Sequence, residues 1–156
     1  MSTDLSSIIS QTQTIPISDG LVSYISDVNV KINGDYAVVG ITSKNQSAVL
    51  VYCRSDIFWN QQALLTSDDN SSYTSVDIAG NIIAIGSGNG VDIFCNTSGS
   101  WILQQQISDN TSNNSFGYSI VLSSDASTLI VGAPETNQSE TGSTYLFNKS
   151  DIANAI

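Results

Sequence analysis

The 156-residue chain contains no histidine, and only four of its residues are lysine or arginine. It therefore lacks the most common general base and the most common protein ligand for transition metals. Four basic against fourteen acidic residues give a net charge of −10, which argues against a nucleic-acid partner and against binding to an anionic membrane surface. No apolar run approaches the ~18 residues of a membrane span. Residues 1–7 lack the basic start and apolar core of a signal peptide.

Cysteine is also scarce. Cys53 and Cys95 are the only two, and they occupy the same position in two copies of the repeat described below. Equivalent positions in neighbouring repeats usually lie farther apart than the ~5.5 Å between Cα atoms that suits a disulfide. We therefore predict two free, half-buried thiols.

Motifs of catalysis are absent as well. Neither cysteine has a histidine partner, and there is no Gly-x-Ser-x-Gly or phosphate-binding motif. We interpret Asp68-Asp69 and Asp125 as turn residues that bond their own backbone. Trp59 and Trp101 recur at matching repeat positions, which indicates packing anchors rather than platforms for sugar rings. The sequence predicts a protein that is not an enzyme.

What the chain does have is a periodic glycine. Gly40, Gly86 and Gly132 are 46 residues apart, and each ends a short apolar run. A fixed period of roughly 40–50 residues is typical of repeat architectures. We interpret the chain as one β-rich unit written three times.

Each repeat contains up to four segments, which we label A to D. Segment A alternates apolar and polar residues, as with Val28, Val30 and Ile32 in the first copy, and this period of two is typical of a strand. Segment B is the apolar run ending at the periodic glycine, segment C is a second apolar run, and segment D contains the glutamines of an outer strand. Since no segment keeps apolar residues at helical spacing, we predict an all-β protein.

The order of segments along the chain is D, ABCD, ABCD, ABC. The third copy lacks segment D, whereas residues 7–15 near the start have its form. We predict a β-propeller with three four-stranded antiparallel blades at approximately 24–66, 72–108 and 116–148. The N-terminal strand 7–15 completes the last blade, in its own chain or in a partner chain. Residues 1–156 then form one half-propeller domain.

The third copy resembles a known repeat. Phe116-Gly117, Gly132-Ala133-Pro134 and the segment 142–147 together look like a complete FG-GAP repeat, the unit that builds the propeller of integrin α subunits and of many bacterial and viral surface proteins. The first two copies have Gly40-Ile41-Thr42 and Gly86-Ser87-Gly88 where the family has Gly-Ala-Pro. The resemblance implies a β-propeller fold and display on a surface.

FG-GAP repeats commonly bind Ca²⁺ in Asp-x-Asp-x-Asp-Gly loops, and this sequence has none. Glu135, Asn137 and Glu140 offer oxygen atoms on the third loop between segments B and C, but a solvated acidic loop is the favoured interpretation. We predict no metal and no other cofactor.

Natural propellers typically have four to eight blades. Three blades around a ring would be splayed too far apart to bury their apolar B strands, so we predict that two chains form a six-bladed ring by strand exchange. A head-to-tail filament is the alternative, and a compact three-bladed monomer ranks last. The predicted exchange surface comprises Ile8, Ile9, Gln11, Gln13, Ile15, Tyr145, Leu146 and Phe147.

These observations favour a non-enzymatic structural or adhesion module that mediates protein–protein contact or self-assembly on a cell or virion surface. A lectin-like propeller that binds carbohydrate between its blades is the alternative. The missing signal peptide fits a virion or filament component assembled from the cytoplasm, and it fits an excised fragment as well. Seven Asn-x-Ser/Thr sites in predicted loops permit glycosylation: Asn45, Asn70, Asn96, Asn110, Asn113, Asn137 and Asn148.

Overall fold

The computed structural model describes residues 13–14, 25–43, 47–66, 75–108, 115–134 and 141–152. Within these ranges the chain forms strands joined by short turns, with one helical turn at the end. The strands are β1 (Ile25–Asn33), β2 (Tyr36–Ser43), β3 (Ser47–Ser55), β4 (Phe58–Thr66), β5 (Ser75–Ala79), β6 (Ile82–Gly86), β7 (Val91–Thr97), β8 (Ser100–Ile107), β9 (Ser119–Leu122), β10 (Thr128–Ala133) and β11 (Ser143–Asn148), and the helical turn is α1 (Lys149–Ile152).

The strands form three antiparallel sheets in chain order, which we number blades 1 to 3. Blade 1 is β1-β2-β3-β4 and blade 2 is β5-β6-β7-β8, whereas blade 3 has the order β9-β10-β11 in the described residues. The all-β prediction is confirmed. The fourth strand predicted for blade 3, at 7–15, lies outside the described residues except for Gln13 and Thr14, which are not in a strand. The turn α1 was not predicted.

Tight turns join the first two strands of blades 1 and 2. The cross-strand pairs Asn33–Tyr36 and Ala79–Ile82 leave two residues in each turn. Gly34 and Gly80 begin these turns with φ of 57°, a conformation that favours glycine. The two turns also meet, because the Gly80 amide donates to Asn33 Oδ1 over 3.1 Å.

The corresponding turn of blade 3 is longer and is organised by Asp125. Its carboxylate accepts a hydrogen bond from the Ser123 hydroxyl over 2.6 Å and another from the Ser127 amide over 3.1 Å. These bonds, led by the one from Ser123, lower the pKa of the exposed Asp125 carboxyl to about 2. Asp125 thus bonds its own turn, as the sequence predicted.

The lowered pKa gives a pH-dependent prediction. Because the carboxyl titrates at about 2 in the folded chain and at 3.8 in the reference state, it stabilises the fold above pH 3.8 and ceases to do so as the pH falls towards 2. We expect Asp125→Asn to lower stability at pH 7 and to match the wild type near pH 2, measured by urea unfolding. Ser124→Ala in the same turn is the control. A deficit for Asp125→Asn that is equal at both pH values would contradict the assignment.

Two hydrophobic clusters fill the spaces between the blades. The cluster between blades 1 and 2 contains Val38, Val49, Val51, Leu65, Val76, Ile78, Ile83, Ile85 and Phe94. The cluster between blades 2 and 3 contains Ala79, Ile82, Ala84, Val91, Ile93, Cys95, Phe116, Leu122, Ala126, Leu129, Val131 and Ala133. Since burial of one Val, Leu or Ile side chain contributes about 1.5–3 kcal/mol, these clusters hold the array together.

Candidate functional site

Successive blades pack through opposite faces of their sheets. Tyr36 and Val38 of blade 1 and Ile83 and Ile85 of blade 2 share one cluster. Side chains alternate along a strand, so Ala84 lies on the other face of β6, where it joins the cluster with blade 3. We call the face that packs on the following blade the forward face, and the opposite face the back face.

The strand register identifies equivalent positions on the forward faces. The central row is Lys31–Val38–Val51 in blade 1, Asp77–Ala84–Ile93 in blade 2 and Val121–Ile130–Leu146 in blade 3. At the third position of this row, Val51 and Ile93 are 0% and 2% exposed, whereas Leu146 is 66% exposed. In the described part of the chain, no further blade covers the forward face of blade 3, which we define as Val121, Ile130 and Leu146.

The back faces differ in the same way. Val76 and Ile78 on β5 are 3% and 4% exposed because blade 1 covers them, whereas Val30 and Ile32 at the same positions of β1 are 66% and 67% exposed. Val28, Val30, Ile32, Ala37, Val39, Tyr52 and Trp59 line a cavity of about 330 Å³, which we call the blade 1 groove. Four of these residues also belong to a small cluster on the same face, in which Ile41, Leu50 and Tyr52 are buried.

Blades 2 and 3 are joined by a close contact at the periodic glycine, formed by Gly86, Ser75 and Gly117, which we call the clasp. A Cβ added to Gly86 would overlap the carbonyl of Gly117, which arrives from the start of blade 3. The Ser75 hydroxyl, opposite Gly86 on β5, donates to this carbonyl over 2.9 Å. Gly117 itself has φ of 93° and leaves no space for a side chain beside the Gly90 carbonyl. The Phe116-Gly117 element of blade 3 and the periodic glycine Gly86 of blade 2 are thus the two halves of one inter-blade contact.

Sequence reasoning missed a buried carboxylate beside the clasp. Asp77 is 8% exposed on the forward face of β5. Its Oδ2 accepts the Leu122 amide of blade 3 over 2.7 Å, and its Oδ1 accepts the Ile78 amide over 3.0 Å. The available signal was a single acidic residue within the apolar segment 76–79, because a carboxylate at a buried position needs hydrogen-bond donors.

The predicted exchange residues are only partly described. Ile8, Ile9, Gln11 and Ile15 lie outside the described residues. Gln13 is bonded to the first blade: its side-chain amide donates to the Trp59 carbonyl over 3.1 Å and accepts the Trp59 amide over 2.9 Å.

On β11 the three predicted residues point in different directions. Tyr145 and Phe147 pack on the back face, with their ring centroids 5.0 Å and 6.2 Å from that of Phe116. Leu146 points from the forward face into solvent. The structure therefore separates Leu146, which is available to a partner, from two aromatic rings that belong to the core.

The two tryptophans have different environments. Trp101 is half-buried between blades, where its ring meets Tyr36 edge to face at 5.5 Å and its Nε1 donates to Gln62 over 2.9 Å. It is a packing anchor, as predicted. Trp59 lines the blade 1 groove. The guanidinium carbon of Arg54 lies over the Trp59 ring, 5.8 Å from the ring centroid.

The thiols and glycosylation sites also bear on the site. Both cysteines are free, and Cys53 is half-buried as predicted, but Cys95 is buried because blade 3 covers its face. The prediction that Asn96 lies in a loop is wrong: it belongs to β7, and its amide contacts the Tyr36 hydroxyl over 3.3 Å. Asn148 is the exposed last residue of β11, not a loop residue. The other five sites, Asn45, Asn70, Asn110, Asn113 and Asn137, lie outside the described residues.

A polar cleft of about 210 Å³ lies next to the clasp. Asp92, Gln106 and Ser87 are among its lining residues, and Gln106 Nε2 donates to Asp92 Oδ1 over 3.0 Å.

Among the residues that the structure describes, no three His, Cys, Asp or Glu side chains form a possible metal cluster. The candidate ligands Glu135, Asn137 and Glu140, and the pair Asp68-Asp69, lie outside that part of the chain. Its helical residues include no segment that is long and apolar enough to cross a membrane.

A protein-family model matches the part of the chain that contains blade 3. The family model described as FG-GAP repeat matches residues 101–147, from the second residue of β8 to the last but one of β11. The match contains Phe116-Gly117 and Gly132, which occupy the clasp and the equivalent position in blade 3. No curated protein matches the chain.

Proposed function

We propose that this chain is a non-enzymatic structural or adhesion module, because it carries an FG-GAP repeat within an array of β-propeller blades. It binds proteins, including copies of itself, through the faces of its end blades. The setting we propose is a cell or virion surface, in keeping with the family resemblance.

The observation that carries this proposal is the exposure of apolar side chains at both ends of the array. Val30 and Ile32 on blade 1 and Leu146 on blade 3 are each about two-thirds exposed. Contiguous exposed apolar surface on a folded protein marks an interaction site. Each end face thus has the composition of an interface and lacks a cover among the described residues.

The environments of the carboxylates support a non-enzymatic role. Buried Asp77 bonds two backbone amides, and Asp125 bonds its own turn. Both carboxylates are occupied by structural hydrogen bonds, so they support the proposal that the protein acts by binding and without a resident cofactor or metal.

The position of Gln13 favours strand exchange in trans. Gln13 is bonded to Trp59 of blade 1, at the end of the array opposite β11 of its own chain. We propose that segment 7–15 completes blade 3 of a partner copy, and that two chains close a six-bladed ring. An open head-to-tail filament uses the same contacts without closure.

A lectin-like function is the second candidate. The polar cleft beside the clasp and half-buried Trp59 offer the hydrogen-bonding groups and the aromatic ring that sugar recognition uses. This candidate places the ligand on one chain and does not need self-association.

Two measurements on the purified chain separate these functions. For a protein-binding module we expect light scattering to give a mass above the 16.5 kDa of one chain, and a glycan array to show no binding. A chain of monomer mass that binds glycans robustly would contradict the proposal and favour the lectin.

A further inference from the structure

We infer that the forward face of blade 3 in one copy packs into the blade 1 groove of a second copy. This contact repeats between chains the packing that joins blades 1 and 2, and blades 2 and 3, within the chain. The inference rests on the proposed protein-binding function and specifies the partner and the two surfaces that meet.

The blade 1 groove is a back face that lacks its forward face. In blades 2 and 3, the positions equivalent to Ile32 are Ile78 and Leu122, which are 4% and 7% exposed because the preceding blade packs on them. Ile32 itself is 67% exposed. This position is thus buried in blades 2 and 3, where the forward face of the preceding blade covers it. It is exposed in blade 1, where the described residues provide no preceding blade.

The forward face of blade 3 is the complementary surface. Its residues Val121, Ile130 and Leu146 occupy the positions at which blade 2 has Asp77, Ala84 and Ile93. Ile93 is 2% exposed under blade 3, whereas Leu146 is 66% exposed. The row in blade 3 is apolar throughout, which suits an apolar groove.

The forward face of blade 3 also has a serine and a glycine at the two positions that receive the Gly117 carbonyl in blade 2. Ser119 lies opposite Gly132 on neighbouring strands, as Ser75 lies opposite Gly86 in blade 2. In blade 2 this pair receives the Gly117 carbonyl of the following blade. In blade 3 the pair is on the forward face, with Ser119 exposed. Asn29 lies opposite Gly40 in blade 1 and is therefore the equivalent of Ser119. Asp27 precedes Asn29 by two residues, as Gly117 precedes Ser119. The Asp27 carbonyl of a second copy is thus the expected acceptor for the Ser119 hydroxyl.

The contact joins unlike surfaces, so each copy donates one face and accepts the other. A heterologous contact of this kind builds a closed ring or an open filament. A second copy is the occupant that these observations favour, because the chain itself already packs this forward face on this back face twice. The net charge of −10 opposes pairing of two copies, so apolar burial must supply the attraction.

Single-face variants test the inference by complementation. Val30→Asp blocks the groove and leaves the blade 3 forward face intact, whereas Leu146→Asp does the reverse. Each alone is expected to associate at least about 100-fold more weakly than wild type, because each contact would bury an unpaired carboxylate. An equimolar mixture regains one intact contact, so we expect a 1:1 dimer by analytical ultracentrifugation that is weaker than the wild-type assembly.

The control is Ile102→Asp, which introduces the same charge at a 46% exposed position on the central blade. It is expected to associate like wild type, and circular dichroism should give all three variants the wild-type spectrum. A wild-type chain that stays monomeric, a groove or forward-face variant that still associates, a mixture without complementation, or equal loss in the control would each overturn the inference. A back-to-back pair through two grooves, for example, would leave Leu146→Asp unaffected.

The glycan array keeps this result separate from the proposed function. Failure of complementation without glycan binding contradicts the head-to-tail contact and leaves a protein-binding module with another partner. Glycan binding by a monomer contradicts both.

Salt provides a second readout. Since two copies of the same acidic chain repel each other, raising the ionic strength from ~0.01 M to ~0.15 M should strengthen wild-type association. Weaker association in salt would indicate a contact held by ion pairs and would contradict the apolar interface.

Discussion

Replacement of Gly86 by alanine is expected to destabilise the protein by at least about 3 kcal/mol, at the upper end of the cost of overpacking. The added Cβ would occupy the position of the Gly117 carbonyl, which is backbone and cannot rotate away. Blade 3 would have to move off blade 2 and lose the Ser75 hydrogen bond and the Asp77–Leu122 hydrogen bond together.

Gly40 provides a matched control at the same repeat position. A Cβ there would meet Val76 Cγ1 at 3.4 Å and Asn29 Cβ at 3.7 Å, which are ordinary contact distances. We expect Gly40→Ala to change the free energy of unfolding by less than about 1 kcal/mol, in either direction. Urea unfolding of both variants measures the difference, and equal losses would show that the clasp is not the reason for glycine.

The second large effect is expected for Leu129→Ala. Leu129 on β10 is fully buried between blades 2 and 3, and truncation leaves a cavity in a packed interface. Leucine-to-alanine changes at such positions cost about 3–5 kcal/mol. A loss of this size would shift the thermal midpoint by many degrees in a domain of this length.

Leu146→Ala is the matched control within the same sheet. Leu146 is 66% exposed on the forward face, so the same truncation should cost less than about 1 kcal/mol in the monomer. It removes apolar surface from the proposed interface, so we expect it to weaken self-association while Leu129→Ala weakens folding. Measurement of the unfolding free energy and of the association constant for both variants separates the two faces of blade 3. Similar unfolding losses would mean that both faces are equally covered in the folded chain.

Local patterns in the sequence were sufficient for the strands. The alternation at 28–32, the apolar run at 82–86 and the turn glycines Gly34 and Gly80 each act within one hairpin, where a period of two and a positive φ leave few alternatives. The all-β class and the three sheets could be predicted for this reason. The turn α1 could not, since four residues carry no periodic signal.

The candidate site was harder to predict from sequence. Tyr145, Leu146 and Phe147 are consecutive apolar residues of one predicted strand, and the sequence grouped all three in one interface. Only the packing of Phe116 from another segment assigns the two rings to the core and leaves Leu146 exposed. The buried role of Asp77 likewise depends on an amide 45 residues away in the chain.

The sequence by itself determined which residues share a face of a strand, because alternation is a property of the extended backbone. It did not determine which of the two faces another blade would cover. Val30 and Val76 look alike in their segments, yet one is 66% exposed and the other 3% exposed. That difference arises from packing between repeats 46 residues apart, which among the described residues leaves Val30 and Ile32 exposed on the back face of blade 1 and Leu146 exposed on the forward face of blade 3.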